Sequence, residues 1–286
     1  MKTIFLSLII LASLTAGNMV QQKRSSTIDV NLQAKANSIL QNKLTEFNAL
    51  TGQIIIMDVQ TGEIKASVGN DSICQESGLL HTAALSAALE TKSVNLSDTI
   101  DTGNGILIVG NDTLFDYSWH RGGFGKITVE QGYSLSSNIV SYKITKKAFK
   151  DEQAFAKALS KFGYQVKDTS LVYNPSGHGI LTTPLQNLTF ITSVAIHNTY
   201  IKQAMENTVI NGLGKPAQSK KVKVAGTTGT LLLPNGNYAV EFCGYFPADT
   251  PKYSMIVTLI RDGLPANGGV MAGSAFKEIA EYMITK

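Results

Sequence analysis

Strand-forming patterns lie near the two ends of this chain, with a long helical stretch between them, and that distribution constrains the fold more than any other feature. Near the start, Ile54-Ile55-Ile56-Met57 reads as a buried strand, Gln60-Thr61-Gly62-Glu63 as a turn, and Ile64 to Val68 as the return strand. The next clear strands come only from residue 224 onward: Val224 to Leu233, then Tyr238 to Phe246 across a Pro234-Asn235-Gly236-Asn237 turn, then Tyr253 to Ile260. The simplest assembly is one sheet built from both ends, with the middle of the chain inserted. Within Val224 to Thr230 the spacing of Gly226 and Gly229 leaves little side-chain bulk, so the backbone there could face a ligand; from this stretch alone an ordinary hairpin with a glycine bulge is the favoured reading.

The helical text is equally uneven. Ser25 to Asn48 places Leu32, Ala36, Ile39, Leu40, Leu44 and Phe47 near helical spacing, an amphipathic helix suited to covering a sheet. Gly78 to Lys92 is apolar on nearly every face, which predicts a helix buried between the sheet and a second group of helices. Thr99 to Tyr117 reads as a surface hairpin turning at Gly110-Asn111-Asp112. Thr128 to Tyr133 is helical, Leu135 to Asn138 breaks the pattern, and Ile139 to Lys150 and Asp151 to Phe162 resume it. Gly163 to Leu181 reads as loop, Thr183-Pro184 opens a helix through about Asn198, and Ser274 to Ile284 closes the chain as a helix.

Residues 1–17 have the form of an export signal: Lys2, an apolar run from Ile4 to Leu14, then the small residues Thr15-Ala16-Gly17. That run is too short for a membrane span, and no other is expected. An exported, periplasmic or extracellular protein follows, either cleaved near Ala16 or Gly17 or tethered by an uncleaved signal, with the folded domain over 25–286: a sheet part at about 25–75 and 220–286, a helical part at about 76–219. The net charge of +4 has no concentrated basic run behind it, and the lysines between Lys215 and Lys223 have no interleaved aromatics, which argues against nucleic acid. Cys74 and Cys243 could pair in an oxidising compartment but carry no framework information. No cluster has metal-ligand spacing, and no cofactor is expected.

Three stretches in order resemble the penicillin-binding transpeptidases and serine β-lactamases. Ser136-Ser137-Asn138 with the following helix looks like that family's SxN loop, and Ala225-Gly226-Thr227-Thr228-Gly229-Thr230 like its AGKTGT strand. Glu76-Ser77-Gly78-Leu79-Leu80-His81-Thr82 falls where the family carries Glu-Pro-Gly-Ser-x-x-Lys. Gly52 to Ala66, Thr182-Thr183-Pro184-Leu185-Gln186 and Gly244-Tyr245-Phe246-Pro247-Ala248 add to the likeness, which spans about residues 30 to 286. The resemblance implies an α+β fold of the β-lactamase/transpeptidase type, a five-stranded antiparallel sheet flanked by helices with an inserted helical subdomain.

The departures bear on chemistry. By this resemblance Leu79 occupies the nucleophile position, Thr82 that of the activating lysine, and Thr227 that of the lysine opening KTG. Serine and lysine at i and i+3 share one helix face, where the amine can take the hydroxyl proton; leucine offers neither a nucleophilic atom nor a proton. No catalytic residue is therefore assigned. Ser136, Asn138, Thr228, Gly229 and Thr230 remain as candidate binding groups. His81 is expected in the core or at the rim of the cleft. Ser136 has no lysine placed by spacing to act as its base, Lys143 and Lys126 included, and the literal SxxK at Ser274 to Lys277 falls in the final helix. The expected function is an inactive transpeptidase-like protein that binds a peptidoglycan stem peptide or a cell-wall synthesis protein. An acyl-transfer enzyme with a displaced nucleophile and a purely structural or regulatory module stay open as alternatives.

Overall fold

The computed structural model describes residues 27–166, 177, 179–197 and 199–285. The export signal expected over 1–17, and most of the loop expected over Gly163 to Leu181, lie outside the described residues. In chain order the elements are α1 (Val30–Glu46), β1 (Ala49–Asp58), β2 (Ile64–Gly69), β3 (Gln75–Glu76), α2 (Leu80–Glu90), β4 (Thr99–Asp101), β5 (Ile106–Val109), β6 (Asp112–Phe115) and β7 (Lys126–Thr128). There follow α3 (Val129–Ser134), α4 (Asn138–Ala148), α5 (Glu152–Ser160), β8 (Leu181–Thr182), α6 (Pro184–His197), α7 (Thr199–Ile210), β9 (Ala225–Leu232), β10 (Asn237–Phe246), β11 (Tyr253–Asp262) and α8 (Gly268–Ile284).

The sheet is five-stranded and antiparallel, in the order β2-β1-β11-β10-β9, so the two ends of the chain meet at the β1–β11 pair. Strand residues alternate between two cores because successive side chains point to opposite faces. Ile54, Ile56, Phe242 and Val257 face α1 and α8, packing with Leu40 and Phe276. Ile55, Met57, Cys243 and Ile256 face the inserted helices, packing with Leu80, Ala84 and Ile191. Both faces are covered, which is why these strands read as continuous apolar runs.

Helix α2 is the centre of the second core. Every residue from Leu80 to Ala88 is buried, as an all-round apolar helix requires. Helix α1 presents Leu32, Ala36, Ile39 and Leu40 to the sheet, capped by the Asp29 carboxylate accepting from the Leu32 N–H. At α6, Thr183 accepts from the Gln186 N–H and Pro184 takes the first helical position, as expected.

Three expectations need correction. The segment from Thr99 to Tyr117 is a hairpin only over β5 and β6; Thr99–Asp101 instead pairs with Lys126–Thr128, closing a larger loop around it. The final helix starts at Gly268, earlier than Ser274, with Asn267 as its cap. Gly268 and Gly269 look like loop residues, but side chains there would collide with the Gly229 and Leu213 carbonyls, so the glycines let the first turn sit against the sheet edge. Helix α7 was not anticipated, although Ile201, Ala204, Met205 and Val209 are buried at helical spacing. Cys74 is exposed, Cys243 is buried, and both are free.

Candidate ligand-binding cleft

A cavity of about 560 Å³ opens where the start of α2, the edge strand β9, the turn between α3 and α4, and the segment after β6 converge. The sequence candidates divide across its two sides.

On one side is the turn Ser136-Ser137-Asn138. The α3–α4 connection is so tight that Ser136 adopts a positive φ of 50°, with its N–H bonded to the Tyr133 carbonyl and the Ser137 N–H to that of Gly132. This sets the Ser136 hydroxyl 3.4 Å from the Thr228 hydroxyl across the cleft. Ser137 turns inward and caps α4 through the Val140 N–H. The turn is clamped from behind by Asp116, a buried carboxylate the sequence reading did not single out. Asp116 accepts from the Ser137 hydroxyl at 2.8 and 3.0 Å and from the Ile139 N–H at 3.2 Å. Burial pushes its carboxyl above the usual carboxylate range, against the pull of these hydrogen bonds. Asn138 donates from Nδ2 to the Phe115 carbonyl at 2.9 Å, tying the turn to β6.

On the other side, α2 faces β9, and here the groups are neutral and mutually satisfied. His81 places Nδ1 2.6 Å from the Gly78 carbonyl, an acceptor, so the proton resides on Nδ1 and Nε2 accepts from the Thr227 hydroxyl at 3.0 Å. Thr227 in turn accepts from Thr82 at 3.3 Å, and Thr82 from the Tyr133 hydroxyl at 3.1 Å. Each hydroxyl has one proton, so the chain Tyr133, Thr82, Thr227, His81, Gly78 runs in one direction. Burial holds His81 down at about 4 and raises Tyr133 to about 12, which keeps both neutral. Thr82 and Thr227 are fully buried, and Leu79 is 2% exposed within the helical core. The Thr227–His81 contact has the distance of a nucleophile and its base, but Thr227 is sealed from the cavity that His81 lines.

The glycines of β9 make room for the protein's own groups. A side chain at Gly226 would collide with the Phe242 ring. Gly229 packs its backbone against Gly78, so close that a Cβ on Gly78 would lie 2.9 Å from the Thr230 nitrogen. Of the expected binding residues, Ser136, Asn138, Thr228 and Thr230 line the cavity and Gly229 does not. Thr230 also accepts from the Gly268 N–H at 2.9 Å.

Behind this contact lies a second carboxyl absent from the sequence reading. Glu241 on β10 is fully buried and accepts from the Ser77 hydroxyl at 2.6 Å, from Thr258 at 3.3 Å and from the Gly78 N–H. Burial raises it to about 7. Ser77 is held by the Asn187 amide at 3.1 Å, so β10, the entry to α2 and α6 share one polar knot. Gly78 links both buried titratable groups, its N–H serving Glu241 and its carbonyl serving His81.

The alternative bases do not assemble. Lys143 donates to the Asp101 carbonyl at 2.7 Å, Lys126 lies on β7, and neither lines the cavity; Ser274 donates to the Met271 carbonyl within α8. Among the described residues no group of His, Cys, Asp and Glu could hold a metal ion, and no helix is long and apolar enough to cross a membrane.

The fold has well-matched relatives among solved structures. A peptidoglycan glycosyltransferase from Burkholderia ambifaria superposes with a TM-score of 0.78 at 22% identity, covering 91% of this chain and 96% of its own. The apo transpeptidase domain of penicillin-binding protein 3 from Burkholderia pseudomallei gives 0.78 at 19% identity, covering 91% and 95%. The transpeptidase domain of the FtsI4 D,D-transpeptidase from Legionella pneumophila gives 0.68 at 20% identity, covering 91% and 98%. At these identities the likeness is one of fold. No curated protein matches the chain. The family model for the penicillin binding protein transpeptidase domain matches residues 52–281, and the chain belongs to that family.

Proposed function

We propose that this protein is an exported, catalytically inactive member of the transpeptidase family that acts in peptidoglycan synthesis or cell-wall binding by holding a ligand or partner without cleaving it. The observation that carries this reading is Leu79. At the position where the family resemblance puts the nucleophile, the side chain is an apolar group 2% exposed, packed in the helical core. Acyl transfer needs an activated oxygen, and neither an oxygen nor its base stands there. The two other positions at which the resemblance expects lysine hold threonines bonded to each other at 3.3 Å, in a neutral network that includes His81. The cavity beside them stays open, which favours a retained binding role over a plugged, purely structural one.

Incubation with a fluorescent penicillin followed by mass spectrometry tests this. The expected result is an unmodified mass; a stable acyl adduct overturns the reading. The variant Leu79→Ser/Thr82→Lys/Thr227→Lys sharpens it. Acylation of that variant alone is expected, since the rest of the scaffold is in place, and a restored variant that stays inert while folded would favour the structural role.

A further inference from the structure

Between β6 and the single turn of helix at Trp119–Arg121, the chain alternates with period two in an inverted sense. Phe115, Tyr117 and Trp119 are exposed at 45%, 44% and 48%, while Asp116 and Ser118 between them are buried at 0% and 5%. A segment folding for stability alone would turn the aromatics in and the polar residues out. Here the inward positions are occupied by the clamp, because Asp116 must reach Ser137 and Ile139. The three aromatics are thereby held outward, and all three line the cavity. They are braced: the Phe115 and Trp119 rings lie 5.6 Å apart, Tyr117 meets Phe124 at 5.4 Å, and the backbone N–H of Trp119 donates to the Asp116 carbonyl. Three rigid aromatic faces beside a cavity constitute a recognition surface, since such area is costly to leave in water.

The remainder of the cavity defines what those faces meet. Its polar groups are hydroxyls and amides, from Thr113, Ser136, Asn138, Thr228 and Asn267. Of the residues lining it none is Lys or Arg, His81 is neutral, and Asp116 is turned to the Ser136–Asn138 turn. Arg121 lies over the Tyr117 ring at 5.5 Å and does not line the cavity. A free carboxylate, such as the end of a stem peptide, would find hydroxyl and amide donors in such a lining but no cation to offset the loss of its hydration. A neutral ligand with many hydroxyl or amide groups and a flat face of C–H bonds gains on both counts. Its hydroxyls exchange water for the threonine, serine and asparagine groups, and its C–H face meets the electron-rich faces of the rings.

We propose that the cleft binds the sugar strand of peptidoglycan, as an N-acetylated amino-sugar oligosaccharide, through the Phe115, Tyr117 and Trp119 platform and the hydroxyl and amide groups of the opposite wall. This rests on the proposed cell-wall role and replaces the stem peptide by the glycan as the group held.

Trp119 is the only tryptophan in the sequence, so the protein carries its own reporter within the platform. Titration with chitohexaose is expected to give a saturable change in tryptophan emission, and a peptide ending in D-Ala-D-Ala is expected to give none. Phe115→Ala and Tyr117→Ala, which leave the reporter in place, are each expected to weaken chitohexaose binding by roughly tenfold with an unchanged melting temperature. Calorimetry on Trp119→Ala gives a readout independent of fluorescence, with the same weakening expected. Absence of a saturable response to chitohexaose, binding that the three alanine variants leave unaltered, or preferential binding of the peptide would each overturn the proposal. None of these results bears on the inactive-enzyme reading, which fails instead on a β-lactam adduct.

Discussion

The two walls of the cleft are held together in opposite ways. On the turn side, Ser136-Ser137-Asn138 keeps the residues that the resemblance expects, and the fold fixes them with a buried carboxylate, a helix cap and a left-handed Ser136. On the side of α2 and β9, Leu79, Thr82 and Thr227 depart from expectation, and the fold has closed over them with a one-directional chain of neutral hydrogen bonds. The retained wall is strained and held by a charge-bearing group; the altered wall is relaxed and holds none. The turn also builds the start of α4, so its residues are structural whatever they bind, whereas Thr82 and Thr227 are tied to their wall by single hydrogen bonds to each neighbour. The walls therefore differ in what each would cost to disturb.

The largest effect is expected at the clamp. Asp116→Ala leaves the Ser137 hydroxyl and the Ile139 N–H without their acceptor in a buried site, which should cost about 4 kcal/mol. Urea denaturation measures this directly. Ser136→Ala on the same turn removes only a 3.4 Å contact at the cleft surface and should change stability by about 0.5 kcal/mol or less. If the two substitutions cost the same, the turn is not held as described.

Next comes the polar knot behind β9. The Glu241 carboxyl is raised by burial from its ordinary 4.5 to about 7. Between those values the folded chain keeps a proton that the unfolded chain has released, so stability falls as pH rises from about 4.5 to about 7 and levels off above. A shift of this size corresponds to about 3 kcal/mol. His81 acts in the opposite sense: lowered from 6.5 to about 4, it stays neutral in the fold while the unfolded chain takes up a proton, so stability is lost as pH falls through that range. The two slopes oppose each other where they overlap. Glu241→Gln keeps the shape of the neutral acid and removes one of them, so the variant should become more stable with rising pH between about 5 and 6.5 while the parent stays nearly level. Chemical denaturation across pH 4 to 8 checks this, and parallel profiles would refute it.

Much of the architecture was legible because it rests on periodicity. The apolar runs at Ile54 to Met57 and Tyr253 to Ile260 fix a sheet buried on both faces, and α2 announces its burial by having no polar side. The three departures at Leu79, Thr82 and Thr227 were legible as text, and their convergence follows from the order of the motifs. What the sequence hid were groups whose role depends on a single partner far along the chain. Glu241 meets Ser77 across 164 residues, and Asp116 meets Ser137 across 21. An acid in a strand carries no mark of burial. The glycines left two readings open for the same reason: the room at Gly226 and Gly229 is taken by the Phe242 ring and the Gly78 backbone, and pattern alone does not name the neighbour. Asp116 and Ser118 did leave a signal, polar residues alternating with aromatics, which is readable as an inverted strand only once the clamp is known.

An effect smaller than those at the clamp and the knot is expected within the altered wall, and it separates a cooperative network from coincidental contacts. Thr227→Val is nearly isosteric and takes one hydroxyl from the middle of the chain, leaving Nε2 of His81 without its donor and Thr82 without its acceptor. The added methyl enters a fully buried site and recovers part of the loss, so a net cost of about 1–2 kcal/mol is expected by thermal unfolding. Thr82→Val removes the adjoining link, between Tyr133 and Thr227, at a similar cost. With both hydroxyls gone the bond between them cannot be lost twice, so the double variant should cost less than the two single variants added, by about 0.5 kcal/mol or more. Strict additivity would mean that the 3.3 Å contact contributes nothing, and that the altered wall is held by the burial of Leu79 and its apolar neighbours rather than by the chain from Tyr133 to Gly78.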